Sequence, residues 1–75
     1  MKAYNFAMGI TVSINGSSRR FPAAITFTQL LDELELAGKR LAIERNGEIV
    51  PRSRFGESRL AEGDRIEVVI AVGGG

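Results

Sequence analysis

The stretch ITVSINGSSRRFPAAITFTQLLDEL, residues 10–34, predicts a β-hairpin followed by one helix. Apolar residues at positions 10, 12 and 14 alternate with polar ones, which is the period of a half-buried strand. Asn15-Gly16 comes next, and this dipeptide is favoured in tight hairpin turns because both positions tolerate positive φ. The return strand runs through residues 19–21, and Pro22 ends it or places it at a sheet edge.

The helix that follows has a recognisable start and end. Thr26 and Gln29 match a capping box, in which each residue satisfies a backbone N–H of the other. Apolar residues then recur at i, i+3, i+4 and i+7, which is one face of a helix: Phe27, Leu30, Leu31 and Leu34. Gly38 is the expected C-cap, and the basic pair at 39–40 lies near the end that the macrodipole makes negative. We expect about three helical turns.

The remainder of the chain predicts three more strands. Residues 41–45 form a strand, a second Asn-Gly turn occupies 46–47, and a short strand at 48–50 stops at Pro51. Residues 52–60 lack a clear period and predict a loop with a helical turn. Apolar residues on alternate positions then form the core face of the last strand: Ile66, Val68, Ile70 and Val72.

The order of elements is strand, strand, helix, strand, short strand, strand. In so small a chain, one helix lying across a mixed sheet buries the apolar faces of both. The sequence therefore predicts an α+β protein with the ubiquitin-like β-grasp fold, a mixed sheet of four to five strands and one helix packed across it. We expect residues 1–9 to be an uninformative N-terminal extension, 10–72 to be the domain and 73–75 to be a flexible glycine tail.

Composition excludes many kinds of site. The 75 residues contain no cysteine and no histidine, so disulfides, the usual zinc sites and the Ser/His/Asp or Cys/His arrangements are absent. The acidic cluster Asp32, Glu33 and Glu35 is expected to be a solvated helix face, so we predict no metal site and no catalytic residue. We therefore expect that this chain is not an enzyme that acts alone.

Charge and hydropathy also restrict the partners. Net charge is +1 and the basic residues form short, separated pairs, so we expect no nucleic-acid partner. No apolar stretch reaches the length of a membrane span, and no signal-peptide pattern opens the chain. We expect no membrane association and a cytoplasmic location, which the lack of cysteine fits.

The chain ends on Gly73-Gly74-Gly75, directly after the last strand. Glycine has no Cβ, so such an arm can enter a channel too narrow for side chains. Extended, three glycines place the terminal carboxylate about 10 Å beyond the last packed residue. A frayed terminus is the competing interpretation.

Five residues near the tail are candidates for contact with a partner. Val69 and Ala71 lie on the face of the last strand opposite the core, beside Val72. Arg52 and Arg54 are candidates to pair with carboxylates of a partner. An ordinary surface position explains the apolar residues equally well. A role in building the turn explains the two arginines equally well.

Three segments resemble the ThiS sulfur carrier proteins of thiamin biosynthesis: NGEIVPR at 46–52, LAEGDRIE at 60–67 and AVGGG at 71–75. The likeness covers residues 10–75. A terminal Gly-Gly alone is shared with ubiquitin-like modifiers and with the small subunit of molybdopterin synthase, and both remain alternatives. An interaction module with an idle tail is a further one.

The resemblance implies a covalent role for the Gly75 carboxylate. A ThiF-like adenylyltransferase would convert this carboxylate to an acyl adenylate with ATP and magnesium. Sulfur from a persulfide donor would displace AMP and leave a thiocarboxylate, and a ThiG-like thiazole synthase would accept the sulfur. Gly73 and Gly74 would enter the partners' active sites, and this chain would bind no cofactor of its own.

Overall fold

The computed structural model describes residues 9–71. Within this range the chain forms five strands, one helix and one 3-10 turn. In chain order they are β1 (Ile10–Ile14), β2 (Ser17–Phe21), α1 (Phe27–Glu33), β3 (Leu41–Arg45), β4 (Glu48–Val50), the 3-10 turn (Arg52–Arg54) and β5 (Arg65–Ile70). The predicted order of elements is confirmed. The boundaries proposed at residues 72–73 and the extension at 1–8 lie outside the described residues.

The strands form one mixed sheet in the order β2-β1-β5-β3-β4. The first and last strands, β1 and β5, are parallel neighbours at its centre, and the other three pairings are antiparallel. Both Asn-Gly turns have positive φ at their two central residues, with Asn15 at 51° and Asn46 at 51°. That geometry matches the twist of the flanking strands, so both predicted hairpins are confirmed.

The core lies between α1 and one face of the sheet. Its most deeply buried side chains come from the helix, the sheet and the loop before β5: Phe27, Leu30, Ile43, Leu60 and Ile66. Phe55 is also buried, and its ring centroid lies 6.2 Å from that of Phe27. Ile70 departs from the prediction because 41% of it is exposed. It is the last residue of β5 and pairs with Leu41 at the end of the sheet, where fewer neighbours cover it.

The prediction for the end of the helix is wrong. Helix α1 has seven residues, about two turns, and its C-cap is Leu34 rather than Gly38. Glu35 takes the left-handed conformation with φ 60°, and its N–H donates to the Asp32 carbonyl at 3.0 Å. The Leu36 N–H donates to the Leu31 carbonyl at 2.8 Å, which completes a Schellman motif. Ending the helix here lets Leu34 and Leu36 both pack against the core.

The start of the helix agrees with the prediction. The Thr26 hydroxyl accepts from the Gln29 N–H at 3.1 Å, and the Thr26 N–H donates to the Gln29 side-chain oxygen at 2.8 Å. These two bonds form the capping box and satisfy donors that the helix leaves unpaired.

Side-chain amides of the two turn residues hold β5 from both sides. The Val68 N–H donates to Asn15 Oδ1 at 2.8 Å, and Asn15 Nδ2 donates to the Val68 carbonyl at 3.2 Å. The amide of Asn15 thus takes the place of a peptide group and continues the β1–β5 pairing past Ile14 and Ile66. On the other side, the Arg65 N–H donates to Asn46 Oδ1 at 2.8 Å.

We predict that Asn15→Asp destabilises the domain. The new carboxylate still accepts from Val68 N–H, but the donor to the Val68 carbonyl is lost and two oxygens are brought together. We expect the free energy of unfolding to fall by about 1–3 kcal/mol in urea titrations at pH 7. Ser17→Asp is the control, because it adds the same charge at an exposed position of the same hairpin and should change stability by less than about 0.5 kcal/mol. An equal fall in the free energy of unfolding in both variants would contradict the proposal that the Asn15 amide stabilises β5 through its hydrogen bonds to Val68.

Glu35→Gly should have the opposite sign. The left-handed conformation costs an L residue about 1–2 kcal/mol, and glycine avoids this cost. Glycine also lowers the free energy of unfolding by about 0.4–1 kcal/mol, because it increases the conformational entropy of the unfolded chain. We therefore expect a gain of about 0.5 kcal/mol in the free energy of unfolding. Glu33→Gly makes the same chemical change at the last residue of α1, where φ is helical, and should lower the free energy of unfolding by up to about 1 kcal/mol. A loss at both positions would show that the Schellman ending does not govern this turn.

Candidate functional site

The candidate site lies where β5 leaves the sheet. Ala71 is the last residue that the structure describes, and its N–H donates to the Arg40 carbonyl at 2.8 Å. The pairing between β5 and the β3 side of the sheet therefore continues to the residue that precedes Val72. The predicted tail residues Gly73, Gly74 and Gly75 lie outside the described residues, as does Val72.

The start of β5 is fixed by a buried carboxylate. Asp64 accepts hydrogen bonds from the Ala61 N–H at 2.9 Å, from Arg45 Nε at 3.1 Å and from Asn46 Nδ2 at 3.1 Å. These donors satisfy the Asp64 side chain, which is buried at the point where the loop becomes a strand. Strand β5 is thus held at its start by side chains and by β1, and along most of its length by β3.

Three of the five predicted contact residues meet in one shallow groove. Val69, Ala71 and Arg52 line this groove together with Lys39 and Arg40. Its remaining wall is formed by Gly38, Leu41 and Ala42. Arg52 also lies over the Phe55 ring, with 5.7 Å from the guanidinium carbon to the ring centroid. The groove therefore combines an apolar floor with basic side chains at the root of the tail.

Arg54 does not belong to this groove. Its Nη1 lies 3.1 Å from Glu57 Oε2, three residues further on, and both side chains are exposed. An exposed pair of this kind contributes little to stability. Arg54 instead borders a separate depression with Ile49 and Pro51.

Sequence reasoning missed the role of Lys39 and Arg40 in lining the groove. They were expected only to interact with the end of the helix. Because β3 and β5 pair Leu41 with Ile70, the chain before Leu41 runs beside the chain after Ile70. The pairing register of two strands distant in sequence places these residues, so no local pattern identifies them.

Within residues 9–71, no cluster of acidic, histidine or cysteine side chains is arranged to hold a metal ion. In the same range, no helix has the length and apolar composition needed to cross a membrane.

The fold and the site define a class. A five-stranded mixed sheet with a central parallel pair, crossed by one helix, is the ubiquitin-like β-grasp arrangement. Residues 12–75 match the family model described as ThiS family, so the chain belongs to that family.

Relatives and a solved structure agree with this assignment. The chain is 42% identical over 50 residues to the sulfur carrier protein ThiS of Bacillus subtilis, covering 67% of this chain and 76% of that protein. It is 44% identical over 62 residues to a protein of Paramagnetospirillum magneticum named thiazole synthase, covering 83% of this chain but only 19% of that relative. The crystal structure of the thiamine biosynthesis protein ThiS from Geobacter metallireducens has a TM-score of 0.74 and 29% identity, with 88% of this chain and all of that chain covered.

Proposed function

We propose that this chain is a sulfur carrier of thiamin biosynthesis whose Gly75 carboxylate becomes a thiocarboxylate that donates sulfur for thiazole formation. The observation that carries the proposal is the ThiS-family match, which extends through residue 75 and so includes the three terminal glycines. The relative named sulfur carrier protein ThiS supports the same role.

The proposed chemistry begins with activation, because a carboxylate is a poor electrophile. A ThiF-like adenylyltransferase binds ATP and magnesium, and a Gly75 carboxylate oxygen attacks the α-phosphorus and releases pyrophosphate. The terminal sulfur of a protein persulfide then attacks the carbonyl carbon, and AMP leaves. A thiol cleaves the resulting acyl disulfide, which leaves the thiocarboxylate on Gly75 and a new disulfide elsewhere.

The composition supports a carrier that works through its C-terminus. This chain has no cysteine, so it has no thiol or persulfide of its own on which sulfur could travel. Three extended glycines span about 10 Å, enough for a backbone to reach the interior of a partner. In this proposal the chain is a cosubstrate, and its partners supply ATP, magnesium and catalysis in the cytoplasm.

The comparisons favour thiazole synthase as the acceptor. The relative named thiazole synthase contains a segment of 62 residues that resembles this chain, within a much longer protein. That relative carries a ThiS-like segment within a chain named thiazole synthase. This combination supports a functional link between a ThiS-like carrier and thiazole synthase. The docking surface for such partners in this proposal is the groove of Val69, Ala71 and Arg52, whereas Arg54 lies apart. Val72, the next residue of the chain, is a further contact residue in this proposal.

The proposal predicts a covalent change at one residue. After incubation with the adenylyltransferase, ATP, magnesium, a persulfide donor and a thiol, intact mass spectrometry should show one oxygen replaced by sulfur. Fragmentation should place that replacement at Gly75. An unchanged mass, with an enzyme that activates an authentic carrier in parallel, would overturn the proposal.

Two tail variants serve as matched tests of the same step. Deleting Gly75, or replacing Gly74 with alanine, should abolish activation because the carboxylate is withdrawn or the backbone is too wide for the channel. Glu48→Gln alters an exposed residue of β4 at the end of the sheet where β5 begins, away from the tail, and should be activated at the parent rate. Normal activation of the truncated chain would exclude Gly75 as the site.

A further inference from the structure

The face of the sheet opposite α1 presents an ordered set of charges. Residues that pair across β3 and β5 share a face, and three such pairs succeed one another toward the tail. The first is Glu44 with Glu67, and the second is Ala42 with Val69. The third brings Arg40 opposite Ala71, whose backbones are joined by the hydrogen bond at 2.8 Å. Successive pairs on one face lie about 7 Å apart.

The middle pair belongs to an exposed apolar strip. Ile49 pairs with Glu44 from β4, so its side chain lies on the same face and diagonally beside Ala42. Ile49 is 67% exposed and Val69 is 60% exposed. They are the two most exposed large apolar side chains within residues 9–71. Clustered exposed apolar residues of this kind mark interaction surfaces.

Basic residues border the strip on the side of the tail. Lys39 and Arg52 line the groove beside Arg40, so three cations surround the position of Ala71. On the opposite side, Glu44 and Glu67 face each other directly, and like charges in that arrangement destabilise a sheet. Arg65 lies beyond them on the same face, so this side carries a net charge of −1, against +3 from the cations beside Ala71. The ion pairs within residues 9–71 are Arg45–Asp64 and Arg54–Glu57, so none of these six charges is in an ion pair within that range.

We propose that this face docks thiazole synthase in a single orientation, set by its charge order. The surface that fits it carries a cation against Glu44 and Glu67, an apolar side chain against Val69 and Ile49, and carboxylates against the three cations. Turning the domain around would place its three cations against the partner's cation and its net negative side against the partner's carboxylates, so the tail is directed toward the acidic side of the partner. The inference rests on the proposed function and adds the chemistry of the partner surface.

Two opposite charge reversals test the proposal. With thiazole synthase from the organism that carries this chain, we expect Arg40→Glu and Glu67→Lys each to raise the Kd by about tenfold or more in calorimetric titrations at low salt. Raising the salt concentration should weaken the parent complex and reduce the difference in Kd between the parent chain and each of the two variants. Arg19→Glu and Glu33→Lys make the same changes away from this face and should bind like the parent chain.

A second measurement separates docking from folding. Glu67→Lys removes a like-charge pair, so its thermal midpoint should equal or exceed that of the parent even though it binds more weakly. Unchanged affinity in both reversals, or no binding of the parent chain to thiazole synthase at low salt, would overturn the docking proposal. Thiocarboxylate formation at Gly75 is measured without thiazole synthase, so its failure would refute the proposed function independently.

Discussion

The placement of β5 between β1 and β3 is the constraint on which the rest of this structure depends. The last strand of the chain fills the centre of the sheet, with Ile14 beside Ile66 on one side and Ile43 beside Val68 on the other. Until β5 is in place, the two hairpins are separate and α1 has no continuous surface to cover. Such pairing between distant parts of the chain closes long loops, which costs conformational entropy. Burial of apolar side chains in the core must offset that cost. Ile43 and Ile66, both among the most deeply buried side chains, supply part of that burial.

The same constraint connects the core to the candidate site. Alternate side chains of β5 point to opposite faces, so Ile66 and Val68 pack under α1 while Glu67 and Val69 face outward. Strand β5 pairs with β3 from Ile66 to Ile70 and with β1 at its first two residues, and Asp64 holds its start through three hydrogen bonds. The chain that continues into the tail therefore leaves from a fixed point. A carrier that must present one carboxylate to successive partners benefits from such a rigid base, because less conformational entropy is lost on docking.

Local chemistry explains how much of the fold could be predicted from the sequence. Asn15-Gly16 and Asn46-Gly47 set both hairpins because each turn needs two residues with positive φ, and Thr26 with Gln29 set the start of the helix. The end of the helix was mispredicted because the left-handed position is occupied by Glu35, a residue that rarely takes it, while a glycine follows three residues later. Packing of Leu36 against the core outweighed that local preference.

The candidate site was only partly predictable for a different reason. Val69 and Ala71 follow from alternation along one strand, whereas Lys39, Arg40 and Ile49 join them through pairings between strands. Those pairings depend on the register of β3 with β5 and of β4 with β3, which no single segment encodes. The significance of the glycine tail came from its composition and from the resemblance to a family, and not from any geometry of residues 9–71.

Transfer of sulfur to product is the most direct test of the central claim that this chain carries sulfur for thiazole formation. The chain would be prepared with a thiocarboxylate at Gly75 that contains a heavy sulfur isotope, and then incubated with thiazole synthase and its other substrates for a single turnover. The account predicts that the heavy isotope appears in the thiazole while the chain returns to the mass of its carboxylate form. Heavy sulfur that stays on Gly75 while thiazole synthase turns over an authentic carrier would contradict it.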